Sequence, residues 1–232
     1  MQRGMRDGIE YDVVEASRAE EAVALFCRCF SAREPVARAL RATPEMVDGF
    51  LGVHARAVAP QGLSVLAREV GTREVVGVLF AEDHGLAAAS PPRLAESSHP
   101  LLAAVAEYRA RTSALKAEAR VLAEPRRPGV VLHQAYLGVA ESATGRGIGR
   151  CLVEEGLALA RDHGFSRAFV GCSSPISARI WIDRLGFRVL GRVVWDEIRV
   201  PDPGTGELVA PLRGIADGFE AYLLAYRELG VA

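Results

Sequence analysis

The spacing of apolar positions along the chain switches between a strand rhythm and a helix rhythm, and the switches divide it into elements. Residues 9–15 (IEYDVVE) predict a first strand. A helix is expected over Arg18–Phe30, where Ala22, Leu25, Phe26 and Cys29 share a face; Ser17 is read as its cap, with Glu20 in capping-box position. The run SAREP at 31–35 breaks it. A short helix follows at Val36–Arg41, then one over Pro44–Val58, with Thr43 as cap and Pro44 at its first position. Two β-rich runs, 62–69 and 74–82, joined by Val70-Gly71-Thr72-Arg73, predict a hairpin.

The stretch His84–Pro128 reads as an insertion: an exposed connection (AAASPPRLAESSHP), a helix over Leu101–Leu122 and a closing EPRRP. Insertions of this kind shape a ligand site or lie on the surface. Residues 129–139 predict a strand, 147–163 an amphipathic helix carrying Ile148, Leu152 and Leu159 on one stripe, and 167–172 a short buried strand. Ser173 and Ser174 cap a helix that runs to Leu185, Phe187–Val200 is a long strand, and Phe219–Tyr226 is the last. Strands alternate with helices, which predicts a single α/β domain with a mixed sheet over 1–232, carrying the helical insertion at 84–128.

Composition narrows the class. The 232 residues carry 28 Lys+Arg against 29 Asp+Glu, a balance that argues against a nucleic-acid binder. No apolar run approaches the ~20 residues of a membrane span, and the first residues lack the apolar core of a signal peptide, so neither a membrane partner nor secretion is expected. Cys27, Cys29, Cys151 and Cys172 form no CxxC pair and read as reduced thiols of a cytoplasmic protein. The five His and four Cys show no metal-ligand spacing, so no metal is expected. Lys116 is the only lysine, which with the abundant Ala suggests a coding bias.

The sharpest local signal is Leu137-Gly138-Val139 followed by Thr144-Gly145-Arg146-Gly147-Ile148-Gly149-Arg150. Strand, glycine-rich loop and helix follow in that order. Amide groups at a helix N-terminus converge on one point, the helix dipole favours negative charge there, and glycines let the backbone approach an anion. Arg146 and Arg150 add positive charge. No Gly-Lys-Ser/Thr follows, so this is not a Walker loop, and no acidic residue ends the next strand as a dinucleotide ribose would require. The alternative is a glycine-rich turn without a ligand.

This segment resembles motif A of the GNAT N-acetyltransferases, and the strand ending Leu137-Gly138-Val139 and the Leu185-Gly186-Phe187 ending resemble that family's flanking elements. Glu34-Pro35, the insertion starting near His99-Pro100, and Cys172 to Arg179 (CSSPISAR) resemble its arthropod-type arylalkylamine (dopamine) acetyltransferase branch. The resemblance implies a GNAT-like mixed, splayed sheet flanked by helices, with acetyl-CoA in the V between strands 129–139 and 167–172. It implies acetyl transfer to a small primary amine by direct attack on the thioester, in a monomer or homodimer. Two positions depart from the family: Thr144 stands where motif A begins with Gln or Arg, and Ile182 where a Tyr commonly protonates the departing thiolate.

That chemistry has definite needs. An amine of pKa near ~10.4 is about one part in a thousand neutral at pH 7.4, a deficit of roughly 4 kcal/mol, so a general base is useful; a thiolate of pKa near ~8.5 leaves more easily. Glu34, held extended before Pro35, is the base that the resemblance implies, acting through water; read without it, Glu34 is a solvated charge. Ser173 and Ser177, four apart, would share a side, and the resemblance places them near the thioester sulfur; as plain sequence they are a cap and a packed residue. A backbone N–H of Val139 or its neighbour would receive the oxyanion. His133 is either a core residue or a cleft residue, with Tyr136 on the opposite face by alternation. Two rival functions remain: an acyl-CoA-binding sensor or interaction protein without activity, and a protein N-terminal acetyltransferase.

Overall fold

A computed structural model describes residues 2–86, 100–123, 127–216 and 218–230. The expected exposed connection at 87–99 and residues 124–126 of the closing run lie outside the described residues. The strands are β1 (Gln2–Arg6), β2 (Ile9–Val13), β3 (Val65–Glu69), β4 (Val75–Asp83), β5 (Val131–Val139), β6 (Arg167–Cys172), β7 (Arg188–Val194), the short pair β8 (Val200–Pro201) and β9 (Leu208–Val209), and β10 (Ala221–Glu228). Eight of them form one sheet in the order β1-β2-β3-β4-β5-β6-β10-β7. Every neighbouring pair in it is antiparallel except β5–β6, which is parallel.

The helices are α1 (Ala19–Arg33), α2 (Pro35–Ala39), α3 (Pro44–Val47), α4 (Val53–Val58), α5 (Pro100–Glu118), α6 (Arg120–Ala123), α7 (Ile148–Asp162) and α8 (Pro175–Ala178). One face of the sheet is covered by α7, whose buried Leu152, Val153 and Leu157 join Val65, Leu79, Leu132 and Val170 in a core cluster. The opposite face carries two separate blocks. Helix α1 sets Phe26 against Val78 and Phe80, while α5 sets Ala104 and Val105 in a cluster with Phe169, Tyr222 and Leu224. The two blocks are the walls of the candidate site.

Several boundaries differ from the sequence reading. Ser17 lies in a 3-10 turn, Ala16–Arg18, and makes no cap; the helix starts at Ala19 and runs through Ser31 to Arg33. The segment 44–58 is interrupted by a π turn at Asp48–Gly52, although Thr43 does cap it, accepting from Met46 N at 3.3 Å. The strand expected over 187–200 stops at Val194, where a 3-10 turn buries Trp195 and its indole N–H finds the Phe219 carbonyl at 3.0 Å. A buried indole needs an acceptor, and that tertiary partner ends the strand. The strand β1 was not expected.

Leu152 is fully buried between α7 and the sheet. Truncating it, Leu152→Ala, should cost about 2–5 kcal/mol in chemical denaturation, because the rigid sheet below cannot collapse into the void. A cost below about 1 kcal/mol would mean that α7 is not clamped to the sheet.

Candidate active site

Strand β5 carries the site, and its register explains how. Phe80 pairs with Tyr136, but Ala81 pairs with Gln134, so Ala135 is an extra residue in β5. A bulge of this kind shifts the side-chain alternation by one. The expectation that His133 and Tyr136 face opposite ways is therefore corrected: both point to the side of α1, α4 and α5. Glu82, opposite His133, ties them together. His133 Nδ1 lies 2.7 Å from Glu82 Oε1, His54 Nε2 lies 3.3 Å from Glu82 Oε2, and His54 Nδ1 lies 3.0 Å from the Tyr136 hydroxyl.

This chain of contacts is consistent with one protonation pattern. Burial alone would raise the Glu82 carboxyl, but hydrogen bonds from His133 and His54 outweigh it and hold Glu82 ionised. Burial and the nearby Lys116 ammonium push His133 down to about 4, so its ring is neutral. A neutral His133 then donates Nδ1–H to Glu82, and His54 donates Nε2–H while its Nδ1 accepts from Tyr136. The His133 ring stacks on Phe169 with centroids 4.4 Å apart and an interplanar angle of 4°.

Beyond Gln134 the parallel partner is lost. The β5–β6 ladder runs only from Val131↔Arg167 to Gln134↔Val170, while β5 continues to Val139 and β6 to Cys172. The strands part into a V. Ala140 N donates to the Val76 carbonyl on β4 at 2.8 Å, so antiparallel alternation sends the amides of Gly138 and Tyr136 to β4 and those of Leu137 and Val139 into the gap. The Val139 carbonyl opens the same way and accepts from Arg33 Nη1 at 3.2 Å.

Glu34 spans the mouth of that gap. It ends α1 and caps α2, with the extended backbone expected before Pro35, φ −70° and ψ 127°. Its Oε2 accepts from Ala37 N at 2.7 Å, and the Ser173 side chain is near enough to favour the ionised carboxylate. Consecutive residues thus reach opposite walls, Arg33 to the end of β5 and Glu34 to the residue after β6. Burial raises the Glu34 carboxyl above its ordinary value, against the lowering effect of those contacts.

Ser173 and Ser177 make different contacts. Ser173 precedes the helical turn, and Ser174 is the cap: Ser174 Oγ accepts from Ser177 N at 3.2 Å, and Ser177 Oγ accepts from Ser174 N at 3.2 Å and donates to the Ser174 carbonyl at 2.8 Å. Helical spacing says nothing about a residue outside the helix, so Ser173 is free to turn to Glu34. Ile182 lies in a π turn, Arg179–Arg184, against the α7-side core.

The loop after β5 is built as its glycines suggested. Gly145 and Gly147 have left-handed φ of 78° and 75°, and Gly147 opens α7 with no side-chain cap. The first-turn amides, at Ile148, Gly149 and Arg150, have no helical partners. Thr144 Oγ1 donates to the Glu141 carbonyl at 2.8 Å. The arginines are engaged elsewhere: Arg146 pairs with Glu69 at 2.7 Å and Arg150 with Glu154 at 2.8 Å. Backbone, more than side-chain charge, is what this loop offers an anion. Among the described residues, no group of three or more His, Cys, Asp or Glu is arranged to hold a metal ion.

The cleft also contains residues that the sequence reading passed over. Tyr108 of α5 lies at 5.0 Å from the Trp195 ring and 5.8 Å from that of Tyr222, and feels the Glu34 charge. The Tyr222 hydroxyl occupies the place that a Cβ at position 171 would take, so only Gly171 admits that tyrosine to the end of β6. Neither has a local signature; an isolated tyrosine in a helix or strand reads as core.

No family model and no curated protein matches this chain. Solved structures do match. The C-terminal condensation domain of Ebony, in complex with β-alanyl-dopamine, superposes with a TM-score of 0.70 at 16% identity, covering 95% of this chain and 98% of that one. The arylalkylamine N-acetyltransferase 2 of Aedes aegypti gives 0.65 at 14% identity over 97% and 100%. The polyamine N-acetyltransferase of Drosophila melanogaster, which forms N-acetylagmatine, gives 0.63 at 18% over 95% and 99%. The chain has the GNAT acetyltransferase fold.

The buried His133 makes stability depend on pH. His133 titrates near 4 when folded against an ordinary 6.5, so the unfolded chain binds the extra proton and stability falls as pH drops from about 6.5 to 4. Asn can keep the donor to Glu82 but does not titrate. His133→Asn should therefore flatten the melting-temperature decline across this window, and an unchanged slope would assign the decline to other groups.

Proposed function

We propose that the protein is an acetyl-CoA-dependent N-acetyltransferase acting on a small primary amine. The observation that carries this reading is the arrangement at the V. A raised carboxyl, Glu34, stands at the mouth of a gap lined by the outward amides of Leu137 and Val139. The fold supports it, since the matched structures include amine N-acetyltransferases.

The residues present fit the cosubstrate. Its pyrophosphate suits the left-handed turn at Gly145 and Gly147 and the bare first turn of α7 at Ile148, Gly149 and Arg150, where Thr144, Arg146 and Arg150 surround the loop without supplying its main donors. Its pantetheine arm suits the open edge Leu137-Gly138-Val139. Bound there, acetyl-CoA supplies an activated acetyl thioester. Glu34 takes the proton of the incoming ammonium, directly or through a water that Ser173 orients, and a carboxyl raised toward neutrality is a better base for this than an ordinary one. The Leu137 and Val139 amides stabilise the oxyanion as the amine attacks. No dedicated acid is assigned: Ile182 cannot serve, and a thiolate of pKa near ~8.5 departs without large cost. Ser177 holds the turn that positions Ser173.

Two experiments test this reading. Glu34→Gln should lower kcat/KM about 10²–10⁴-fold, with the defect shrinking toward the pKa of the amine. Its melting temperature relative to wild type should rise as pH increases from 4.5, because ionising a raised carboxyl costs the native state stability. Parallel pH–rate curves for the two proteins would remove Glu34 as the base. Gly147→Val should weaken acetyl-CoA binding by calorimetry about tenfold or more, since a β-branched residue cannot hold that φ, whereas Arg146→Gln should matter less. Equal effects would shift the anion site to the arginine. An acyl-CoA sensor without activity would bind acetyl-CoA but release no CoA with any amine.

A further inference from the structure

The acceptor side of the cleft carries positive charge. Lys116 and Arg109 lie seven residues apart on α5, so two helical turns put them on one face, with Thr112 between. Lys116 Nζ stands 5.8 Å from the centroid of Phe169, the ring on which His133 stacks, and the Arg109 guanidinium stands 4.4 Å from that of Phe50 on the facing block. Glu34, Tyr108, Lys116, His133 and Tyr136 are all strongly desolvated, yet each keeps accessible surface. Along α5 they run from Tyr108, which feels the Glu34 charge, to Lys116, which stands over the buried Phe169 ring beside His133.

Lys116 is the group to account for. Glu82 is taken up by two histidine donors, and Lys116 makes no ion pair among the described residues. Burial lowers the Lys116 ammonium, Arg109 lowers it further, and Glu82 offsets only part of this. A desolvated cation without a carboxylate is costly unless something anionic meets it. A second amine on the acceptor would meet like charge there, whereas a carboxylate would be attracted.

We propose that the acceptor is an amino carboxylate, its amine at Glu34 and its carboxylate held by Lys116 with Arg109 beside it. This deepens the acetyltransferase reading and rests on it for the position of the amine. It also separates this chain from a polyamine acetyltransferase, whose acceptor carries further positive charge.

The test uses ω-amino carboxylates, n-alkylamines and α,ω-diamines of matched chain length, with CoA release as one readout and melting temperature in the presence of CoA as the other. Wild type should favour an amino carboxylate over its matched alkylamine by about tenfold in kcat/KM, with the diamine poorest. Lys116→Met should collapse that ratio chiefly through the amino carboxylate's KM, and Lys116→Arg should retain it. The same amino carboxylate should raise the melting temperature of wild type and Lys116→Arg but not of Lys116→Met. Turnover of all three classes without preference for the carboxylate, or a preference unchanged in Lys116→Met, overturns the inference and leaves the acetyltransferase reading intact. A Lys116-dependent melting shift without any CoA release keeps the anion site and overturns the acetyltransferase reading. Neither preference nor shift removes the site.

Discussion

The parting of β5 from β6 is the constraint around which the rest is arranged. Parallel strands that stay paired leave no exposed amides between them. Here the ladder ends at Gln134↔Val170, and the amides of Leu137 and Val139 have no strand to bond. Unpaired backbone donors inside a protein are expensive, so the open edge persists only where a side chain, water or ligand meets it. Arg33 already meets part of it, at the Val139 carbonyl. The bulge at Ala135 lies at the start of the opening, where extra local twist helps the strands diverge.

Two consequences of the bulge are felt on opposite sides of the sheet. On the α7 face, Gln134 turns inward, where its amide oxygen accepts from the buried Trp181 indole and its Nε2 lies 3.4 Å from the Val153 carbonyl, locking the floor of the V to α7 and the segment after β6. On the other face, Tyr136 and His133 come to the same side and are joined through His54 and Glu82. The cleft floor is thus fully hydrogen-bonded and leaves its charged walls to be set by α1 and α5.

The helix over 100–118 was legible in the sequence, but its surroundings were not. Its amphipathic pattern is weak because the buried face of α5 mixes Ala104, Val105 and Thr112 with Tyr108, Arg109 and Lys116. A helix that walls a polar cleft has no clean apolar stripe, so periodicity understates its contacts. The single lysine looked like a compositional residue; only its position over Phe169 makes it a specific group.

The order of strands and helices, the turn at Gly145–Gly147, the cap at Thr43 and the extended backbone at Glu34 could be read in the sequence, because each depends on steric rules acting over a few neighbouring residues. The glycine loop was found the same way, whereas Glu34 as a candidate base came from the motif resemblance. The side-chain partnerships were decided by tertiary structure. Ser173 turns to Glu34 because the chain leaves β6 before the helix begins, Arg146 and Arg150 turn to Glu69 and Glu154 because those carboxylates lie within reach, and a single extra residue in β5 reverses the facing of Tyr136. Local sequence determines backbone conformation through short-range sterics, while the meeting of side chains from distant segments is set by strand register and packing, which no short stretch of the chain contains.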